Sequence, residues 1–303
     1  MAHDDTDVSA VRQQGFECQG PIEVSVELDG GRLDITLRDD TAAEVTVQVR
    51  PGSTGQPPWT VGINGLLSWL GEQTGATPLG ELAAEAVRRT TIDFTGQRLT
   101  VRSPREFPLR SVPLIIQVCA PSGSSITARS GSADVGVTGE AAGLDTTTGS
   151  GQVRAQRCTG AAEVRTGSGD VRLGTVLGRL RVRTGSGQVE VTNVEGVAGA
   201  GSVQTGSGDV RLGAVKQDVN ARTGSGDLTV VDAWAGGLEL TTGSGQLRVG
   251  IHPGVLAELD VSSGSGRARS DLPVSGPPTE GGAALRVRAR TGSGDALVTA
   301  APS

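Results

Sequence analysis

Apolar and polar residues alternate with a period of two over most of this chain, which is typical of β-strands with one buried face. The alternation is interrupted by the motif Thr-Gly-Ser-Gly-(Asp/Gln)-(Val/Leu). Counting one serine variant and one degenerate copy, the first glycine of the motif falls at Gly131, Gly149, Gly167, Gly185, Gly206, Gly224, Gly243, Gly264 and Gly292. The intervals run from 18 to 28 residues, so the sequence is an internal repeat.

Each repeat contains two short alternating segments joined by Gly-Ser-Gly. Counted from the first glycine as zero, positions four and six are apolar, as in Val171 and Leu173, and a segment such as Leu180-x-Val182-x-Thr184 precedes the next motif. A unit of two strands cannot bury its apolar face alone, so neighbouring units must stack.

Two topologies satisfy this pattern. One is a β-solenoid, in which each repeat is a coil; the other is an antiparallel meander wrapped into a sandwich or prism. The near-constant interval and the recurring corner motif favour an all-β solenoid, β-helix-like, of about nine repeats of 18–21 residues.

The residues before the repeats follow a less regular pattern, with alternating strands and one helical segment. Alternating strands begin near Ile22, Leu33 and Val45. Thr77-Pro78 supplies a helix cap followed by proline at the first helical position, and residues 79–87 place their apolar side chains on one helical face.

This pattern predicts two regions. Residues 1–120 form an irregular β region with a helical insertion at about 60–92 that caps the stack, and residues 121–303 form the repeat solenoid. No comparable cap follows Val298, so we expect the other end to favour self-association, with residues 285–303 as its surface.

The tandem Thr-Gly-Ser-Gly-Asp-Val repeats resemble the bacterial "putative adhesin" family of β-strand repeats, the domain of unknown function 4097. The resemblance covers about residues 110–300, and more weakly the strands from residue 20 onward. It implies a repetitive β fold, and the family's name implies a surface role.

Composition narrows the function. The chain has 47 glycines but three Phe, three Trp and no Tyr, which argues against helical bundles and against aromatic stacking of single-stranded nucleic acid. Residues 1–120 carry 10 basic and 16 acidic side chains, whereas residues 121–303 carry 17 of each. Neither part is basic, so we expect no nucleic-acid partner and no anionic membrane surface.

Location is inferred from three features. No apolar run approaches 18 residues, so the sequence predicts no membrane span. The first seven residues are acidic and lack the apolar segment of a secretory signal. Cys18, Cys119 and Cys158 are odd in number and lack C-x-x-C spacing, which favours reduced thiols in a cytoplasmic protein.

Two polar rows accompany the turns. The first comprises Asp134, Asp170, Asp209, Asp227 and Asp295. Calcium is disfavoured there, because glutamines and Arg267 take the same position in other repeats. We instead predict that these carboxylates pair across the turn with arginines two residues before the first glycine, as in Arg165 with Asp170.

The second row consists of threonines. Its members are Thr148, Thr166, Thr184, Thr205, Thr223, Thr242 and Thr291. An ice-binding surface would need these threonines to point outward, but they are in phase with the inward apolar residues. The sequence therefore predicts that each threonine ends the core face and bonds to turn backbone.

Arginines also recur five residues after the first glycine, at Arg154, Arg172, Arg211, Arg248 and Arg269. They point outward and could meet phosphates or an acidic polymer, although a solvated face is the simpler interpretation.

The sequence contains few residue types in arrangements that catalysis would need. No histidine recurs near the serines, and Trp234, Glu239, His252 and Glu258 are scattered in sequence. We therefore nominate no catalytic, cofactor-binding or metal-binding residue and no cofactor.

The sequence predicts a non-enzymatic scaffold that binds a protein partner or self-associates through a solenoid end. The alternatives are an adhesin-like binder of a cell-surface or polysaccharide ligand, exported by an unrecognised route, and, more remotely, a β-helical carbohydrate-active enzyme.

Overall fold

Two long sheets stacked face to face form the molecule. The structure is a computed structural model that describes residues 11–39, 44–52, 79–196, 199–273 and 283–302. In spatial order, the thirteen strands of sheet A are β1 (Arg12–Glu17), β4 (Glu44–Pro51), β7 (Leu114–Pro121), β3 (Gly31–Arg38), β9 (Asp134–Ala141), β11 (Val153–Cys158), β13 (Val171–Val176), β15 (Val189–Val194), β17 (Val210–Val215), β19 (Leu228–Ala233), β21 (Leu247–Ile251), β25 (Ala296–Ala300) and β23 (Ala268–Ser270).

Sheet B has twelve strands. Starting from the same end as β1, they are β5 (Thr91–Thr95), β6 (Arg98–Arg102), β2 (Glu23–Leu28), β8 (Ser125–Ser130), β10 (Gly143–Thr148), β12 (Ala162–Thr166), β14 (Leu180–Thr184), β16 (Gly201–Thr205), β18 (Val219–Thr223), β20 (Gly236–Thr242), β24 (Leu285–Thr291) and β22 (Ala257–Ser263). The helix α1 (Leu79–Arg89) and a 3₁₀ turn (Leu109–Ser111) complete the elements described.

Each repeat forms one coil. A strand of sheet B leads through the Gly-Ser-Gly corner into a strand of sheet A, and a second corner returns the chain to sheet B. Strands of successive coils pair in parallel with equivalent residues aligned, as in Val153 with Val171 and Val164 with Val182. This confirms the β-solenoid and excludes the antiparallel meander for the repeats.

The core is one continuous layer between the sheets. Inward positions four and six of the repeats are buried, for example Val171 and Leu173, and so are inward residues of sheet B such as Leu180 and Val182. Because equivalent side chains lie over one another along the axis, branched and small residues fill the layer without aromatic rings.

The described residues in the first part of the chain continue the solenoid. Both sheets continue without interruption from β8 and β9 into β2 and β3. The next strands, β6 and β7, pair in parallel with β2 and β3. Outside them the pairing becomes antiparallel, in β4 with β7, β1 with β4, and β5 with β6. Phe16 of β1 and Phe94 of β5 stack with ring centroids 5.2 Å apart, so the outermost strands of the two sheets contact each other.

The amphipathic helix α1 packs against β4, where it buries Ala86 and Val87. It begins at Leu79, and residues 60–78 of the expected helical insertion lie outside the described residues. Arg88 and Arg89 in the last turn pair with Glu85, which places positive charge at the negative end of the helix.

The opposite end departs from sequence order. The coil formed by β24 and β25 lies between the coil of β20 and β21 and the coil of β22 and β23. The end of the stack is therefore residues 257–270, and the expectation that residues 285–303 form the end surface is wrong.

Charge on the outer face favours this order. Arg288 of β24 is aligned with Glu239 of β20 on one side and Asp260 of β22 on the other. Its Nε lies 3.2 Å from the Asp260 carboxylate. Direct pairing of β20 with β22 in the same register would instead place Glu239 beside Asp260, and like charges directly opposite each other are destabilising.

Candidate binding surfaces

The aspartates at the Gly-Ser-Gly corners bind the backbone of the neighbouring coil. Oδ1 of Asp134 accepts a hydrogen bond from the Gln152 amide at 2.8 Å, and Oδ1 of Asp227 accepts one from the Gln246 amide at 2.8 Å. Asp170, Asp209 and Asp295 do the same. Each carboxylate thus joins two coils along the axis, and no group of three or more metal-ligating side chains occurs among the residues described.

The predicted arginine–aspartate pairs across the turn are wrong. Arg165 instead pairs with Glu163 on its own strand, and Arg222 lies 3.7 Å from Glu239 on the next coil. The reason is geometric. The arginine extends from the outer face of sheet B, whereas the aspartate lies beyond the turn and is directed along the axis toward a backbone amide.

The threonine row is confirmed as part of the core. Its side chains are 2–8% exposed, and each hydroxyl oxygen accepts a hydrogen bond from the backbone amide three residues later at 2.9–3.1 Å. Some hydroxyls also donate to a carbonyl of the neighbouring coil, as Thr223 does to Gly208 at 3.0 Å. Buried hydroxyls cannot present a surface to ice.

Some charges on the outer face of sheet A are paired, whereas Arg154 and Arg248 bond only to glutamine side chains. Arg172 lies 3.6 Å from Asp170 and 3.8 Å from Glu190, and Arg32 bonds Asp34 at 2.9 Å. A shallow groove of about 570 Å³ opens on this face where Gly136 has no side chain. Its rim carries charges of both signs, so it does not select a cation or an anion.

The outer face of sheet B carries an uninterrupted row without carboxylates, which we call the arginine stripe. It runs along the axis as Arg129, Thr147, Arg165, Arg183, Gln204, Arg222, Thr241 and Arg290, one residue from each strand between β8 and β24. Sequence analysis noted several of these arginines and assigned them to carboxylates that they do not contact.

The second corner gathers rare side chains that sequence reasoning treated as scattered. Trp234 stacks on His252 with ring centroids 3.3 Å apart, and Lys216 Nζ lies 5.3 Å from the Trp234 ring. Asp232 accepts a hydrogen bond from Trp234 Nε1 at 2.6 Å and lies 3.0 Å from His252 Nδ1. The spacing of 18 residues between Lys216, Trp234 and His252 was the signal, because equivalent corner positions stack.

This corner cluster stabilises the stack more than it offers a binding site. The imidazole covers one face of the indole and the ammonium approaches the ring, so the aromatic surface is partly covered while Trp234 stays 37% exposed. No nucleophile or third metal ligand joins Asp232 and His252 among the residues described.

The coil of β22 and β23 forms an open end. Leu259 and Val261 point toward the core but are only half-buried, and Leu256 just before β22 is 60% exposed. The outer side chains of β22 include Glu258 and Asp260, whereas β23 carries Arg269. Each strand is paired on one side, and none of the described residues pairs with its other side.

Fold and surfaces together define a class: a two-sheet parallel β-solenoid in which the repeated polar residues serve the stack itself. The chain belongs to the Toastrack DUF4097 family, whose model matches residues 90–299. The family resemblance drawn from the repeats is therefore confirmed.

Solved structures with low sequence identity also align with the chain. A "putative adhesin" from Bacteroides fragilis is 11% identical with a TM-score of 0.39, and the alignment covers 95% of this chain and 96% of that one. A "putative adhesin" from Parabacteroides merdae is 11% identical with a TM-score of 0.42, covering 95% of each chain. No curated protein matches the chain.

Within the described ranges, no helix has the length and apolar character needed to cross a membrane.

Proposed function

We propose that the protein is a non-enzymatic scaffold that self-associates through its open end. The observation that carries the proposal is the coil of β22 and β23. Its outer strand edges have no pairing partner among the described residues, and its inward apolar side chains are only half-buried. An unpaired strand edge beside exposed apolar side chains is a template for further pairing.

Charge favours a second copy in one orientation. A two-fold axis parallel to the strands brings β22 of one protomer antiparallel to β23 of its partner, because the chain reverses direction at each corner. Glu258 and Asp260 then face the strand that carries Arg269, although each of these three residues also has an ion-pair partner within its own protomer. An axis perpendicular to the sheets would instead place β22 against β22, with acidic residues facing acidic residues.

The apolar side chains supply the rest of the interface. In this orientation Leu259 and Val261 of one protomer continue the core layer of the other, and Leu256 leaves solvent. The repeats already show that such stacking is favourable, since every internal coil buries equivalent side chains between its neighbours. Acid–base pairing at the rim mainly selects the orientation.

The test is the molar mass by light scattering and sedimentation across a concentration series. We expect the wild-type protein to dimerise. Leu256→Asp should weaken the dimer by introducing charge at the interface, and Arg269→Glu should weaken it by placing acid opposite acid. Arg248→Glu is the matched control, because Arg248 occupies the same row on the internal strand β21.

A wild-type protein that stays monomeric at every concentration would overturn the proposal. So would a dimer that Leu256→Asp and Arg269→Glu leave unchanged. A different protein partner at this end, and a cytoplasmic location, stay predictions of the sequence.

A further inference from the structure

We infer that the arginine stripe on sheet B binds a linear acidic polysaccharide lying along the solenoid axis. This surface is separate from the open end, so the inference is independent of self-association. It rests on the spacing of the arginines, on the two that have no carboxylate partner among the described residues, on the chemistry between them and on the way the row extends along the axis.

The spacing suits a long ligand with repeated charges. Neighbouring strands lie about 4.8 Å apart, so eight stripe positions extend over roughly 34 Å. Arginine stands on the first, third, fourth, sixth and eighth of these strands. Guanidinium groups therefore recur mostly at about 10 Å, twice the strand spacing.

Carboxylates pair only some of the stripe arginines. Arg165, Arg222 and Arg290 each pair with a carboxylate, whereas Arg129 and Arg183 do not. Arg183 donates to the Gln204 side-chain oxygen at 3.1 Å, and no carboxylate among the described residues lies within ion-pair distance of Arg129, Arg179 or Arg183. Glu163 serves Arg165 and lies 3.9 Å from Arg181.

Five arginines on this part of the face lie beside three carboxylates. The arginines are Arg129, Arg165, Arg179, Arg181 and Arg183, and the carboxylates are Asp145, Glu163 and Glu27, the last of which already pairs with Arg102 and Arg105. Guanidinium forks bind carboxylate and sulfate groups through two parallel hydrogen bonds, which makes the excess charge a recognition element for such groups.

The residues between the arginines suit a carbohydrate. Thr147, Gln204 and Thr241 offer hydroxyl and amide groups, which can bond sugar hydroxyls on either side of a charged substituent. Among the described residues, β8 to β24 present no aromatic side chain on this face for bases to stack on, so the stripe lacks the main contact that single-stranded nucleic acid uses.

The face is flat, and this requires a long ligand. Parallel strands in register present the stripe without a concavity along it, so a small anion would contact one or two guanidinium groups and remain hydrated. A polymer engages several guanidinium groups at once, and later contacts form at a high effective concentration.

The experiment measures heparin oligosaccharide binding by calorimetry, using the full chain with Leu256→Asp in every sample so that self-association does not enter. The stripe variant is Arg129→Gln/Arg183→Gln/Arg222→Gln. The matched control is Arg154→Gln/Arg211→Gln/Arg248→Gln, which removes equal charge from the outer face of sheet A. Neutral dextran and oligothymidylate of similar length are the comparison ligands.

We expect heparin to bind, dextran to show no binding, and affinity for heparin to exceed that for oligothymidylate. The stripe variant should lose about tenfold or more in affinity, because three charge-assisted contacts are removed, whereas the control should change by about twofold or less. Both variants should unfold at the same urea concentration as the parent, since all six residues are outward-facing.

Three results would overturn the inference. They are no binding of heparin by the parent protein, an equal loss of affinity in the sheet A control, and tighter binding of oligothymidylate that the stripe variant abolishes. The last would assign the stripe to nucleic acid instead.

Discussion

Glycines at the corners mark where neighbouring coils approach most closely. A Cβ at Gly169 would lie 1.9 Å from the carbonyl oxygen of Gly151 on the neighbouring coil. That distance is far inside van der Waals contact with backbone, so the two coils would have to separate.

We therefore expect Gly169→Ala to destabilise the protein by about 1–3 kcal/mol or more, as overpacking does. Gly80→Ala is the matched control, because Gly80 lies in α1 with no atom within 4 Å of an added Cβ, and alanine is the better helix former. Urea unfolding measures both. Equal stability of Gly169→Ala and wild type would contradict the close approach.

A second residue-scale prediction concerns the buried threonine hydroxyls. Thr223→Val keeps the side-chain shape but removes the acceptor for the Gly226 amide and the donor to the Gly208 carbonyl, both at 3.0 Å. Leaving these buried groups unpaired should lower the free energy of unfolding by about 1–3 kcal/mol.

Thr229→Val serves as its control, because Thr229 points outward on β19 and is half-buried. Its effect should stay within about 0.5 kcal/mol. If the two valine variants unfold alike in urea, the hydroxyl bonds contribute nothing.

The threonine and aspartate rows show which residue roles can be predicted from a sequence pattern and which cannot. The threonine role followed from its phase with the apolar positions, because that phase places the hydroxyl at the end of the core face. The aspartate role did not follow, because its partner is a backbone amide one coil away and no side chain marks that atom in the sequence.

At the scale of elements, β24 forms its ion pairs with β22, and on its other side Arg288 is aligned with Glu239 of β20. Arg288→Glu would face Glu239 on one neighbour and Asp260 on the other. Exposed pairs contribute about 0–1 kcal/mol each, so we expect local loosening of β22 and β23 rather than global unfolding.

Hydrogen exchange resolved along the chain measures this. Amides of β22 and β23 should exchange faster in Arg288→Glu, while those of β12 and β14 should not change. Arg288→Lys keeps the charge and should behave like the wild type. Uniform exchange rates in the glutamate variant and wild type would show that shape alone determines the coil order.

Alternation and the corner motif were sufficient to predict repeats of two strands and the solenoid, but not the number of strands per coil. They could not predict the order of the last coils, because sequential elements usually lie side by side and the pattern of β24 matches that of every other inner strand. The outward arginines of β24 and the outward acidic residues of β22 favour the observed order of the last coils, but this can be recognised only once the register of the strands is known.

At the scale of the whole molecule, the inward side chains of the end coil β22 are only half-buried, whereas those of the central coils are buried between neighbouring coils. Cys158 lies in that middle, 2% exposed, and burial raises the pKa of its thiol above the ordinary value. The reactive thiolate is therefore scarce as well as inaccessible in the folded protein.

We expect Cys158 to resist iodoacetamide at pH 8 in a Cys18→Ala/Cys119→Ala background and to react once urea unfolds the chain. The labelling rate then reports opening of the central coils. Reaction in the absence of urea at the rate of free cysteine would mean that the centre opens as readily as an end. The same variant labelled in 6 M urea provides the reference rate.

The position of β24 also bears on how the protein is made. The ribosome delivers β22 and β23 before β24 and β25, yet the later pair finishes on the inner side. During synthesis, the earlier coil has either to wait undocked or to leave a provisional place beside β20. Completion of the stack therefore depends on residues that emerge after its outermost coil, so the last coils cannot be added simply in the order of synthesis.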